Sequence, residues 1–398
     1  MALIKSIAHN PNDTERKNQL MKLIYPELIK NKLFCNPFIP YPEQEDFRGE
    51  VILGKLPNNS LCKVPVDSFI THVLFSGTTG NGKINSAYSM AVQLAKLNKQ
   101  FISLGLKRDI RHLSKYLPLL VLKCSEDSNF QWNILNAPQG VSQIDWDTTF
   151  MRVFAATQYL REGAESLLLE SLELLRKQHN QVNIFDLFNF IKTMKIMTFR
   201  GTNWKESCLN RLQALIINFR KMLNTQNSLP LEKFSEYYNI EFELDKAGEF
   251  KSFFASIIPI YLYKYRIANN LRGNYLKNVI FCDEANFLAS KSIIKNSSFG
   301  DTTLLQAIRV GREFGLGFIF FTNEPYALAD SIKAQYSIKV LFRQTHWPDV
   351  EDMGKSMNLT KEQMECTSNL PPGQAIVKIP GIQPFPVAFP LINIVKDM

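Results

Sequence analysis

The sequence predicts an α/β fold: a mostly parallel central sheet interrupted by a helical insertion subdomain. Three observations carry that expectation. Short apolar runs of the kind found in strands buried on both faces occur at 73–76, 101–104, 119–123, 279–282, 318–321 and 338–342. Helical patterns alternate with them, as parallel βαβ crossovers require. From 133 to 276 the strand-like runs give way to apolar residues at helical spacing, in 166–178, 184–197, 208–223 and 250–270.

Taken in order, residues 1–50 read as an N-terminal arm, with a polar start, a helical pattern over 15–32 and breaks at Pro37, Pro40 and Pro42. The α/β core is expected in two pieces, 51–132 and 277–398, separated by the helical insertion 133–276. The last segment, 373–389, alternates and carries several prolines, which suits a terminal strand pair at the sheet edge.

Composition narrows the function classes. A chain of 398 residues with 45% hydrophobic and 21% charged residues buries a sizeable core, so wholesale disorder and collagen-like repeats are excluded. The net charge of +9 weakly favours polyanionic partners. Six cysteines without paired spacing read as reduced thiols of a cytoplasmic protein, and five histidines show no ligand spacing. Every apolar run is shorter than the ~20 residues that span a bilayer, and the N-terminus lacks a signal-peptide core, so no membrane segment is expected.

Residues 77–84 read G-T-T-G-N-G-K-I between an apolar run and the helical pattern of 86–97, the strand–loop–helix context of a phosphate-binding loop. Gly77, Gly80 and Gly82 allow backbone turns that aim N–H groups at phosphate oxygens. Thr78, Thr79, Asn81 and Asn85 complete the cradle, and Lys83 reaches the outer phosphates. Ile84 stands where this motif has a Ser or Thr hydroxyl for Mg²⁺, so it supplies no oxygen.

At 279–284 the chain reads V-I-F-C-D-E, an apolar strand ending in two carboxylates. Asp283 is placed to hold Mg²⁺ and Glu284 to polarise an attacking water. A further buried strand ends at Asn323, a polar residue suited to touch a γ-phosphate or its water. Arg309 and Arg312 lie three residues apart on one helix face, where an arginine could serve a neighbour's active site. A small-molecule or nucleotide kinase would share the phosphate loop, but its acids usually lie far closer than the 200 residues between Lys83 and Asp283.

The ordered set, L-G-K-L-P from Leu53, D-S-F-I-T-H-V-L-F-S-G-T-T-G-N-G-K ending at Lys83, V-I-F-C-D-E-A from Val279 and G-R-E-F-G-L-G-F-I-F-F-T-N-E-P from Gly311, resembles the HerA and FtsK superfamily of DNA-translocating ATPases. It is most similar to HerA-type helicases and conjugative coupling ATPases, over roughly residues 51–390. The resemblance implies a RecA-like P-loop NTPase core that binds ATP and Mg²⁺ between subunits of a ring, usually a hexamer, with DNA in the pore. Lys83 would then be the phosphate lysine, Asp283 and Glu284 the metal-binding and catalytic acids, Asn323 the polar sensor, and Arg312 or Arg309 the trans-acting finger. It also implies a nuclease or other effector partner and a role in antiphage defence. The sequence departs from the family at Ile84, in its short N-terminal region, and at Gly105, where the second strand often ends in an acid. Lys107, Arg108, Arg111, Lys291 and Lys295 are the candidate contacts for sequence-independent DNA binding. Ile84 also opens an alternative: a nucleotide-gated ring scaffold with little or no hydrolysis that positions an effector.

Overall fold

The computed structural model describes residues 37–107, 109–227, 229–291 and 303–394. The chain divides into two compact units, Met1–Pro40 and Tyr41–Met398. Of the first, Pro37 and Phe38 form a turn, and the helical pattern of 15–32 lies outside the described residues. Residues 41–50, expected in the arm, belong instead to the second unit. Gln44 exchanges two hydrogen bonds with the backbone of Leu61, and the Phe47 ring packs 5.2 Å from that of Phe385.

The second unit is organised by one eleven-stranded sheet. Its strands are β1 (Val51–Lys55), β2 (Leu61–Val64), β3 (Val73–Ser76), β4 (Gln100–Gly105), β5 (Leu119–Lys123), β6 (Asn239–Glu243), β7 (Gly273–Cys282), β8 (Phe314–Thr322), β9 (Ile338–Phe342), β10 (Gln374–Lys378) and β11 (Phe385–Ala388). The spatial order is β2-β1-β11-β10-β9-β3-β8-β7-β4-β6-β5. From β9 to β5 the seven strands run parallel, and the remaining four are antiparallel. The fold is thus the mixed α/β, mostly parallel one expected.

Two expectations about strands need correction. Asn239–Glu243 lies within the span read as wholly helical, yet it forms β6 between β4 and β5. Its alternating Asn-Ile-Glu-Phe-Glu pattern suggests a half-exposed segment, but all five residues are buried. The β10–β11 pair is not at the sheet edge, because β1 pairs with β11 and carries β2 beyond it.

Helix α1 (Lys83–Lys96) follows β3 directly. The helical segment between β5 and β6 holds α2 (Gln143–Thr157), α3 (Glu162–Gln178), α4 (Ile184–Thr193), α5 (Phe199–Leu223) and α6 (Leu231–Tyr237). Beyond β6 come α7 (Lys251–Ala268) and, before β8, α8 (Thr303–Gly311); α9 (Trp347–Met357) follows β9. Trp146, Phe150, Phe154, Phe219, Phe253 and Phe254 are fully buried in the helical segment and its contact with α7. Each such side chain contributes roughly 1.5–3 kcal/mol by leaving water. Among the described residues no helix is long and apolar enough to cross a membrane.

A row of aromatic rings crosses the parallel strands. Phe75 stacks on Phe321 at 4.8 Å, Phe321 on Phe281 at 6.4 Å, Phe281 meets Phe101 edge-on at 5.4 Å, and Phe342 lies 6.5 Å from Phe75. In β3, β7, β8 and β9 these residues sit at or within one position of the strand's end. The row therefore fixes the height at which four chains emerge from the sheet.

Candidate phosphate-loop site

Because β9 to β5 are parallel, their C-terminal ends line one edge of the sheet, where α/β proteins bind ligands. At the end of β3 the chain turns through Gly77, whose φ of +146° suits glycine. A side chain there would also lie 2.7 Å from Phe342 Cβ. Gly77 N–H donates to the Thr322 carbonyl (3.3 Å) and Thr78 N–H to the Arg343 carbonyl (2.9 Å), so the loop is pinned to the ends of both flanking strands. Gly373 N–H donates to the Asn81 carbonyl (3.0 Å), and the Asn81 amide donates to the Thr78 carbonyl (3.2 Å). Thr79 and Gly80 are left exposed at the crest.

Helix α1 begins at Lys83 without a side-chain cap and without an acidic residue in its first turn. Its positive end is therefore directed at the loop uncompensated. Lys83 is buried at the base, where its ammonium donates to the Gly77 and Thr78 carbonyls. Burial pushes its pKa down to about 8; Glu284 works against that shift and Lys107 adds to it. The partly buried Ile84 side chain packs against the hydrophobic core. Asn85 is turned away from the loop: its amide donates to the Pro390 carbonyl and its oxygen accepts the Ile392 N–H at 2.7 Å.

Asp283 and Glu284 emerge from β7 two strands away. Asp283 accepts the backbone N–H groups of Leu106 and Lys107, each at 3.1 Å. Burial raises its pKa to about 7, and Asp109 and Glu284 push the same way. Glu284 is paired with the Lys107 ammonium and accepts the Asn323 amide at 3.1 Å. Gln344, beyond β9, donates to the Asn323 carbonyl at 2.9 Å. The structure therefore brings together Lys83, Glu284, Asn323 and Lys107. Beside them, Thr78, Thr79, Glu324, Tyr326, His346 and Asp349 line a cavity of about 430 Å³.

Other sequence-based candidates fall elsewhere. Lys107, read as a DNA contact, sits in this site, because the end of β4 abuts the end of β7. Arg111 pairs with Glu243 (3.3 Å), and Lys291 lies 4.0 Å from Asp330 and 4.0 Å from the Tyr326 ring centroid. Arg108 and Lys295 are outside the described residues. Arg309 and Arg312 do not join the cluster of their own chain. They precede β8, whose nine residues carry the chain ~25–30 Å across the sheet before it reaches Asn323. At that far edge His72 accepts the Phe318 N–H through Nδ1 (3.2 Å) and so donates from Nε2 to the Ile308 carbonyl (2.7 Å), tying α8 to the start of β3.

Sequence reasoning missed Arg343 and Gln344. Their signal was present, since they follow the apolar run 338–342 just as Asp283 and Asn323 follow theirs. Lys107 as a partner of Glu284 had no such signal, because the pairing of β4 with β7 is long-range.

No protein-family model matches the chain. It is 20% identical over 357 residues to the DNA double-strand break repair helicase HerA of Sulfurisphaera tokodaii. That alignment takes in 83% of this chain and 66% of the helicase, so the chain spans just under two thirds of its relative's length. The structure is similar to VirB4 of Thermoanaerobacter pseudethanolicus, with a TM-score of 0.66, 13% identity and coverage of 86% of this chain and 96% of that one. It is also similar to the unbound bacterial conjugative coupling protein TrwBdeltaN70, with a TM-score of 0.64, 15% identity and coverage of 88% and 91%. TrwB solved with ADP and Mg²⁺ gives a TM-score of 0.61 at 15% identity, over 88% of this chain and 92% of that one. At these identities the structural likeness is one of fold.

Proposed function

The chain has the fold of the HerA/FtsK-type P-loop ATPases, and from that premise we propose that it hydrolyses ATP to translocate DNA. One observation carries the reading: β3, β7 and β8 deliver Lys83, Glu284 and Asn323 to a single cluster beside an uncapped helix start. In it the loop amides and Lys83 hold the β- and γ-phosphates. Glu284, oriented by Asn323, takes a proton from the attacking water.

Arg309 and Arg312, remote from their own cluster, reach the nucleotide of an adjacent copy, as a head-to-tail ring of six would allow. DNA runs through that ring without base recognition, and an effector protein, such as a nuclease, acts on what the motor delivers. The relatives' names, a repair helicase and a conjugative coupling protein, favour DNA as the track.

The residues fit a Mg²⁺ ion that arrives with the nucleotide. Among the described residues no group of three or more His, Cys, Asp or Glu could hold a metal by itself. Each Asp283 oxygen accepts one N–H and keeps a lone pair for the ion or its water, whereas Ile84 offers no oxygen. Such an ion neutralises charge on the phosphates.

The test is ATP turnover by the purified protein with and without DNA, together with its mass in ATP. Turnover should rise with DNA, vanish in Lys83→Ala and fall by at least about a hundredfold in Glu284→Gln. A ring that turns over no ATP with any DNA refutes the motor.

Ile84 favours a second reading, a nucleotide-gated scaffold that assembles on ATP, hydrolyses it slowly and positions an effector. Its side chain is a hydrocarbon, so position 84 supplies the metal no oxygen in any rotamer.

A further inference from the structure

The α4–α5 hairpin is ordered from within but presents an apolar, cationic tip. Lys205 donates through Nζ to the carbonyls of Lys192 (2.9 Å) and Met194 (2.6 Å), satisfying groups at the end of α4 that lack helical partners. Thr198 caps α5 by accepting the Gly201 N–H at 3.1 Å. A side chain on Gly201 would meet Ile196 Cγ2 at 2.5 Å, a measure of how closely the connection is packed. A turn held at these points has little freedom to fold over its own outward side chains. Yet Met197 is 93% exposed and Phe199 82% exposed, and Trp204, partly exposed on the next turn, lies across Gly163 of α3.

The charge carried by the tip's own stretch of sequence has one sign. Between Asp186 and Glu206 the sequence contains Lys192, Lys195, Arg200 and Lys205 and no acid. Lys192, Lys195 and Arg200 are exposed, and among the described residues neither Lys195 nor Arg200 is in an ion pair. Asp186 is turned back onto the Asn183 N–H at the other end of α4, and the first turn of α3, where Gly163 meets Trp204, carries Glu162 and Glu165. By contrast, Lys107, Arg111 and Lys291 each face a carboxylate. An exposed aromatic ring set among unpaired cations offers a face for a base and charges for the neighbouring phosphates.

We propose that the tip of the α4–α5 hairpin is a docking surface for single-stranded nucleic acid, with phosphates on Lys192, Lys195 and Arg200 and a base stacked on Phe199 beside Met197. The proposal rests on the reading of the chain as a DNA motor and gives that reading a contact surface away from the nucleotide site.

Fluorescence anisotropy of the full chain with labelled oligothymidylate, over a salt series, tests it. Phe199→Ala should weaken binding at least about fivefold, and Phe199→Trp should retain it with quenching of the new indole. Lys195→Glu with Arg200→Glu should weaken binding further and flatten the log–log salt slope by about 0.7 per cation removed. Phe199→Leu keeps the apolar bulk without the ring and separates stacking from folding; it should bind as weakly as Phe199→Ala with a wild-type melting curve. Oligothymidylate binding that is equal in wild type and all variants overturns this surface and leaves the motor standing. Displacement by a polyglutamate peptide at equal charge concentration overturns it in favour of an acidic protein partner. A wild-type chain that binds no DNA, single-stranded or duplex, overturns the motor as well.

Discussion

A β-carbon on Gly105 would lie 2.1 Å from Oε1 of Glu241, so the carboxyl of β6 fills the space that a side chain at the end of β4 would need. Glu241 is fully buried, which holds its carboxyl well above the usual carboxylate range, with Asp283 and Glu243 adding to the shift. The acid that the family resemblance places at the end of the second strand is absent from Gly105, and an acid from the adjacent strand occupies that volume. Gly105→Ala should destabilise the protein by about 1–3 kcal/mol through overpacking, measured from urea midpoints. In a Glu241→Ala background the same change should cost almost nothing, because the clashing atoms are gone.

The buried ammonium of Lys83 titrates near pH 8 against an ordinary 10.5, with burial as the main cause. Bound phosphate requires the charged form, so nucleotide binding above pH 8 should take up a proton. Calorimetry of ADP binding in buffers of different ionisation enthalpy should show uptake near zero at pH 7 and rising toward one proton at pH 9. Between pH 8 and 10.5 the unfolded chain holds this proton more tightly than the folded one. Stability without nucleotide should therefore rise through that window, and Lys83→Met should lack the increment.

Ile84→Thr distinguishes the motor from the scaffold. Removing apolar bulk from a side chain packed on the core should lower stability by about 1 kcal/mol. If the missing hydroxyl limits turnover, the threonine should raise ATP hydrolysis at least about tenfold. An unchanged rate in a folded variant would mean that the substitution is not limiting.

His72 is neutral where it joins β3 to α8, and burial pushes its pKa down to about 4. The unfolded chain, with an ordinary value of 6.5, binds the proton first as pH falls. Stability should therefore drop between pH 6.5 and 4 with a slope of up to one proton, roughly 3 kcal/mol in all. His72→Gln should lose that part of the acid dependence, and urea denaturation at four pH values measures it.

The strands legible in the sequence are the short apolar runs, fully buried in β3 and β8, whereas 119–123, read as buried on both faces, is the half-exposed edge strand β5. β6 was hidden because its polar residues are buried for reasons made elsewhere in the chain. Asn239 accepts the Phe101 N–H and donates to the Pro118 carbonyl, Glu241 fills the space over Gly105, and Glu243 meets Arg111. In the site, the phosphate loop was legible because all its parts are local, and 283–284 and Asn323 because a polar residue ending an apolar run marks a strand mouth. What neighbours what across the sheet was not legible. Its charge and its place after a strand made Lys107 look like a DNA contact, though its neighbour is Glu284. Helical spacing put Arg309 and Arg312 on one helix face, but the helix ends at Gly311 and Arg312 lies in the turn before β8.

The phosphate loop borrows its fastenings from late in the chain: the carbonyls of Thr322 and Arg343, the amide of Gly373, and the backbone of Pro390 and Ile392 held by Asn85. A ribosome making this protein synthesises the loop early and its supports more than two hundred residues afterwards. Nascent polypeptide therefore cannot use nucleotide as a folding template, and ribosome-bound intermediates stalled before residue 373 should be unable to retain ATP.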